Sequence, residues 1–208
     1  MERINAVTFA PFCARGTFEK EETRQSLKLM KEKTGANYVI FAPNGVQKTA
    51  FSETIDYRTK RNVSDEELTA MIAYAKQLGL KVALKPTANC EDGTWRAHIN
   101  FFDEDVVCEP KWSNWFASYR AFQEHYARLA QQCGVDLFIA GCEMVQTERR
   151  EAEWREVIAA IRRKYDGLVS YNTDKYQEHN VKWWDAVDVI SSLSLIHISE
   201  PTRRTPIS

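Results

Sequence analysis

Five times along this chain a short apolar run of strand length is followed by a stretch with helical spacing, and a sixth such run starts near the end. Unbroken alternation of this kind predicts parallel strands joined by right-handed crossovers. The clearest run is VDLFIAGCEM, residues 135–144. It is apolar, follows Gly134 and precedes polar residues, which is the signature of a strand buried on both faces. It ends in a carboxylate, Glu143. A charged group at the end of a buried strand is costly unless it has partners or chemistry to perform. In barrels of alternating strands and helices the active site lies where the strands end. Glu143 is therefore the first candidate for catalysis; the alternative is a rim carboxylate paired with an arginine.

The runs predict strands at 4–9, 37–42, 80–84, 135–144, 168–171 and 187–191. Helical spacing predicts helices at 19–33, 64–78, 113–132 and 148–164, with a short helical stretch through Trp183 and Trp184. Ser64-Asp65-Glu66-Glu67 reads as a capping box, and Gly79 as the stop of the helix it opens. Two architectures satisfy this order: a (β/α)8 TIM barrel truncated after about its sixth strand, or a doubly wound open sheet. The long polar and aromatic loops after the second and third strands favour the barrel. So does the segment after the first strand, Ala10-Pro11-Phe12-Cys13-Ala14-Arg15-Gly16, which lacks the glycine-rich phosphate fingerprint.

Hydrophobic residues make up 44% and charged residues 27% of the 208, as in a soluble globular domain. A net charge of −1 gives no reason to expect a nucleic acid or a membrane surface as partner. No basic segment leads an apolar core at the N-terminus and no run reaches membrane-spanning length, so a cytoplasmic location is expected. Cys13, Cys90, Cys108, Cys133 and Cys142 are odd in number and form no CxxC pair, which predicts reduced thiols. His98, His125, His179 and His197 have no metal-ligand spacing, and neither metal nor cofactor is expected. Trp112, Trp115 and Tyr119 stand at helical spacing and are assigned to the core; Trp183 and Trp184 are expected to split between core and surface. Residues 193–203, LSLIHISEPTR, read like a transposase mosaic-end adapter translated in one frame. The barrel domain is therefore assigned to 1–192, and 193–208, with His197, is set aside as a non-native tail.

The set LKVALKPTAN, GTWRAHI, WSNWFASYRAF, FIAGCEM and VSYNTD, taken together, resembles glycoside hydrolase family 113, whose members are β-mannanases on the clan A barrel. The resemblance runs from the first strand to Ser192. It implies a retaining endo-β-1,4-glycosidase acting on a β-linked oligosaccharide, with Glu143 as general acid/base. The nucleophile would be a second Glu at the end of a seventh strand, which the chain lacks. Glu148, Glu151, Glu153 and Glu156 are expected on the helix after the fourth strand and so cannot replace it. Cys142 stands where clan A enzymes commonly carry Asn, which leaves the contact to the substrate 2-hydroxyl open.

Trp95 and Arg96 resemble the family's sugar-contacting pair, though Trp95 is equally readable as a hydrophobe folded onto the rim. Asn89 is expected to bond a sugar hydroxyl or to form an Asx turn. Lys85 is expected to reach the substrate site or, the favoured reading, to pair with a carboxylate such as Glu143. Asn172 is expected to face the barrel mouth or to be a turn residue. His98 is expected to be structural. The alternatives to a mannanase are a β-1,4-xylanase or other β-glycan hydrolase, and a non-catalytic carbohydrate-binding barrel, distinguished by the residue ending the seventh strand. A barrel without its last strands is also expected to expose strand edges and apolar interior, and so to aggregate or remain molten.

Overall fold

The computed structural model describes residues 4–102 and 111–193. The sequence predicts parallel strands in chain order, and six such strands form the central sheet: β1 (Ala6–Thr8), β2 (Tyr38–Phe41), β4 (Lys81–Leu84), β6 (Leu137–Cys142), β7 (Leu168–Thr173) and β8 (Val189–Ser192). A second sheet pairs β3 (Asn44–Gln47) with β5 (Thr87–Cys90), also in parallel. Every strand of the large sheet lies beside the next one of that sheet in the chain. A doubly wound sheet reverses its order at a switch point; this one does not, and it is a partial (β/α) barrel wall. Among the described residues β1 pairs only with β2 and β8 only with β7.

The helices are α1 (Glu21–Thr34), α2 (Asp65–Gln77), α3 (Lys111–Cys133) and α4 (Glu151–Arg162). Gly35 stops α1 in the left-handed region at φ 64°, where a side chain is strained. Both halves of the capping box form on α2: Ser64 Oγ accepts from the Glu67 amide at 3.2 Å and Glu67 Oε2 from the Ser64 amide at 2.8 Å. Glu67 is buried, and its other oxygen accepts from the amides of Gly16 (2.6 Å) and Phe18 (3.3 Å). One capping carboxylate thus ties the loop after β1 to the start of α2.

All six residues of β6 are buried. Phe138 and Ala140 join the large core between sheet and helices, which contains Trp112, Trp115, Tyr119, Trp154 and Trp183. Leu137 and Ile139 point the other way, into a small cluster with Ala83, Ile40 and Val189. This is the alternation that pleating imposes, until it breaks: between paired residues β6 advances from Ile139 to Cys142 while β7 advances from Ser170 to Asn172. The extra residue on β6 is a bulge. It turns Gly141 toward the helix-side core, where a Cβ would lie 2.8 Å from Tyr119 Oη and 2.9 Å from Tyr171 Cε2. Only glycine fits there, and the bulge re-aims the two residues that follow.

Trp112, Trp115 and Tyr119 are fully buried, as expected; Trp183 is buried and Trp184 half-buried against the same core, so the pair does not split between core and surface. Two further expectations need correction. The segments after the second and third strands are not simple loops, because each contains a strand of the small sheet. And α4 begins at Glu151, so Glu148 lies in the turn before the helix rather than on it. Cys13, Cys90, Cys133 and Cys142 are free thiols; Cys108 and the 194–208 part of the tail lie outside the described residues. No helix among the described residues is long and apolar enough to cross a membrane.

Candidate active site

The residues singled out in the sequence gather at the C-terminal ends of the strands. Glu143 follows β6 directly and has φ 54°, an unusual setting for a residue with a side chain. Its amide donates to the Asn172 carbonyl on β7 at 2.9 Å. Its Oε2 accepts from Arg96 Nη1 at 2.6 Å, in a pair whose side chains are only 11% (Arg96) and 19% (Glu143) exposed. Arg96 reaches it from the short 310 turn Arg96–His98 after β5. Its guanidinium carbon also lies 5.7 Å from the centroid of the Phe12 ring, a contact with the loop after β1 that the sequence did not flag.

Glu143 is therefore paired with Arg96, not with Lys85. Lys85 is half-buried, next in the chain after β4. Burial pushes the Cys142 thiol up, with the Lys85 and Arg96 charges pulling it down. The thiol stays protonated and lies 3.9 Å from both Glu143 Oε2 and Asn172 Oδ1, with one weak S–H donor to offer to either. Asn172 is not a turn residue: it lies in β7, buried, beside Cys142. Asn89 forms no Asx turn. Its Nδ2 donates to Asn44 Oδ1 at 2.7 Å, tying β5 to β3. Trp95 is 42% exposed, its ring in an edge-to-face contact with exposed His98 at 5.7 Å. It stands next in the chain to the arginine that holds Glu143.

Behind Glu143 lies a carboxylate with a different character. Glu148 is 1% exposed, and its Oε1 accepts from Tyr171 Oη at 2.7 Å and Thr173 Oγ1 at 2.9 Å. Its Oε2 is buried without a hydrogen-bond partner among the described residues. Burial raises the Glu148 carboxyl to about 6, against the two hydroxyl donors, which lower it. The folded chain therefore holds this proton more tightly than the unfolded chain, whose carboxyl keeps its usual value of 4.5. The stabilisation linked to that proton is present in full below about 4.5 and lost as the pH rises through about 6, about 2 kcal/mol in all. Glu148→Gln does not titrate, so its melting temperature relative to the parent is expected to rise between pH 4.5 and 6.5. A difference that stays flat over that range would refute the burial of an ionised group.

A groove on the outer wall, of about 590 Å3, lies between α2 and α3 and holds none of these residues. A second, of about 480 Å3, lies at the strand ends and is lined by Val145, Gln146, Arg149, Gln177, Asn180 and Lys182. Among the described residues no group of three His, Cys, Asp or Glu is arranged to hold a metal ion.

The family model of glycoside hydrolase family 113 matches residues 7–205. The structure of a family 113 β-1,4-mannanase is similar at 55% identity and TM-score 0.89, covering 92% of this chain and 62% of that one. The family 113 β-mannanase AaManA from Alicyclobacillus acidocaldarius, in complex with ManMIm, is similar at 43% identity and TM-score 0.84, covering 91% of this chain and 60% of that one. An exo-β-1,4-mannosidase, Op5Man5, from Opitutaceae bacterium strain TAV5 shares the fold at 14% identity and TM-score 0.52, covering 81% of this chain and 31% of that one. No curated protein matches the chain. The chain thus spans about three fifths of the length of the two mannanases it resembles. By family match and by identity to these structures, it belongs to glycoside hydrolase family 113.

Proposed function

We propose that this chain carries the acid/base half of a retaining endo-β-1,4-mannan hydrolase. One observation carries the reading: in a family 113 frame, the carboxylate ending the fourth strand of the sheet is set in a left-handed turn after a bulge and held by Arg96. A retaining glycosidase needs two carboxyls roughly 5 Å apart, one to protonate the leaving oxygen and one to attack the sugar. Glu143 takes the first role. Glu148 is walled in behind Tyr171 and Thr173, and Glu151, Glu153 and Glu156 are each within ion-pair distance of an arginine on the helix layer. By resemblance to the family, the nucleophile is a second Glu at the end of a later strand of the barrel. Trp95 and Arg96 contact the sugar beside Glu143; Asn172 and Cys142 line the floor. Soluble mannan oligosaccharides are the substrate class.

Two measurements test this. The full-length gene product is expected to cleave mannohexaose faster than xylohexaose; the reverse order would sink the mannan reading. The 208-residue chain alone is expected to show no turnover above its Glu143→Ala variant. Turnover above that control would mean the second carboxylate is already present.

A further inference from the structure

The hydrogen bonds behind Glu143 form a closed path. A left-handed turn at a residue with a side chain persists only where its surroundings hold it. Here the Glu143 amide donates to the Asn172 carbonyl, and the next amide, Met144, donates to Tyr171 Oη at 3.2 Å. The Met144 carbonyl accepts from both the amide and the hydroxyl of Thr147, each at 2.8 Å. Tyr171 is fully buried and its hydroxyl has a single proton, which goes to Glu148. That donation leaves a lone pair facing Met144. Without an acceptor at Glu148 the hydroxyl can rotate and point its proton at the Met144 amide, turning an attraction into a clash of two donors.

We infer that Glu148 is a positioning residue for the proposed acid/base: its buried carboxyl orients the Tyr171 hydroxyl, and that hydroxyl holds the Met144 peptide and with it the turn that aims Glu143. Three further contacts fix Glu148 for this role. Thr173 supplies a second donor, the Glu148 carbonyl accepts from Trp183 Nε1 at 3.3 Å, and its amide donates to the Val145 carbonyl at 3.3 Å. Neither Glu148 nor Tyr171 is placed in contact with sugar, so the effect is on aim rather than on binding. The inference rests on Glu143 being the acid/base.

The test compares Glu148→Ala, Glu148→Gln and Tyr171→Phe in the full-length gene product. Its first readout is amide hydrogen exchange at Met144, with the Val157 amide of α4 as the gauge of global stability. In Glu148→Ala and in Tyr171→Phe, Met144 is expected to lose protection by about fivefold or more beyond the change at Val157, the loss of about one hydrogen bond. Glu148→Gln keeps the accepting oxygen and is expected to restore most of the protection. If Met144 and Val157 change by one common factor, Glu148 is structural only and the inference fails. Should the alanine variant not fold, Tyr171→Phe decides by the same comparison.

The second readout is mannohexaose hydrolysis. Glu148→Ala is expected to lower kcat by about tenfold with KM within about twofold, as for a misaimed catalytic group. Glu148→Gln should recover most of that loss. An unchanged kcat in Glu148→Ala overturns the inference even where Met144 has loosened. Glu143→Gln separates the two readings: if it hydrolyses like the parent, the function reading has failed, and the exchange result alone reports whether Glu148 holds the turn.

Discussion

Replacing Glu143 with alanine is expected to lower kcat/KM for mannohexaose by about a thousandfold in the full-length protein, the usual scale for loss of a general acid. The deficit should depend on the leaving group. A sugar alkoxide must be protonated as it departs, whereas a dinitrophenolate needs no proton. The variant should therefore still form the glycosyl-enzyme from a dinitrophenyl β-mannoside. In the proposed mechanism Glu143 also deprotonates the water that releases the sugar, so the variant should then stall. Azide, an anion that needs no base, should restart turnover and yield the β-mannosyl azide. An α-azide product, or no rescue, would argue against the retaining mechanism. A variant as slow on the dinitrophenyl substrate as on mannohexaose would mean that Glu143 does something other than proton transfer. The alanine variant also leaves Arg96, whose side chain is only 11% exposed, without its ion-pair partner, so some loss of stability is expected beside the catalytic loss. Arg96 keeps its contact with the Phe12 ring, and the Glu143 backbone keeps its bond to Asn172.

The parts of this fold written in local pattern were legible in the sequence. The run 135–144 is buried along β6 because its apolar residues face a neighbour on both sides, and the Ser64–Glu67 spacing forms both capping bonds. Trp112, Trp115 and Tyr119 are core because helical spacing puts them on one face of α3. What escaped depends on contacts distant in the chain. The strands β3 and β5 are four residues each, follow Pro43 and Pro86, and carry Asn, Gln and Thr; nothing in either segment announces a partner over forty residues away. Arg96 finds Glu143 across 47 residues. Asn89, which in the sequence reads as a sugar contact or a turn, spends its amide on Asn44.

Glu148 was misplaced for a related reason. The run from 148 to 164 reads as one helix, yet Met144 to Thr147 close a 310 turn first and pull Glu148 inward. A glutamate on an amphipathic pattern reads as solvent-facing, and only the two hydroxyls on β7 reveal that it is buried with partners. The same is true of Gly141. The letters GCE suggest a strand running out to its catalytic end. The bulge that aims the last two residues becomes visible only in the pairing of Ile139 and Cys142 against β7.

The largest expected effect on stability is at Trp154. Its side chain is fully buried on α4, stacked on Trp183 at 4.9 Å with an interplanar angle of 11°. The rings of Tyr119 (5.4 Å) and Tyr171 (5.0 Å) meet it edge-on. Its Nε1 donates to the Thr147 carbonyl at 3.0 Å, in the turn that carries Glu143 to Glu148. Trp154→Ala removes the centre of this cluster and is expected to cost about 3–5 kcal/mol. That is a large share of the roughly 5–15 kcal/mol that holds a domain together. Trp154→Phe keeps a ring against Trp183 but loses the bond to Thr147, so it should cost clearly less. Urea midpoints of the full-length parent and both variants measure this directly. A loss under about 1 kcal/mol in the alanine variant would mean that the aromatic cluster rearranges to fill the space. The two substitutions also separate packing from aim. Phenylalanine removes the indole donor to Thr147 while leaving the stack and the Arg150 amide on the same carbonyl, so a drop in kcat that exceeds its small stability loss would place the indole–Thr147 bond among the restraints on Glu143. A kcat that follows stability alone would confine Trp154 to the core.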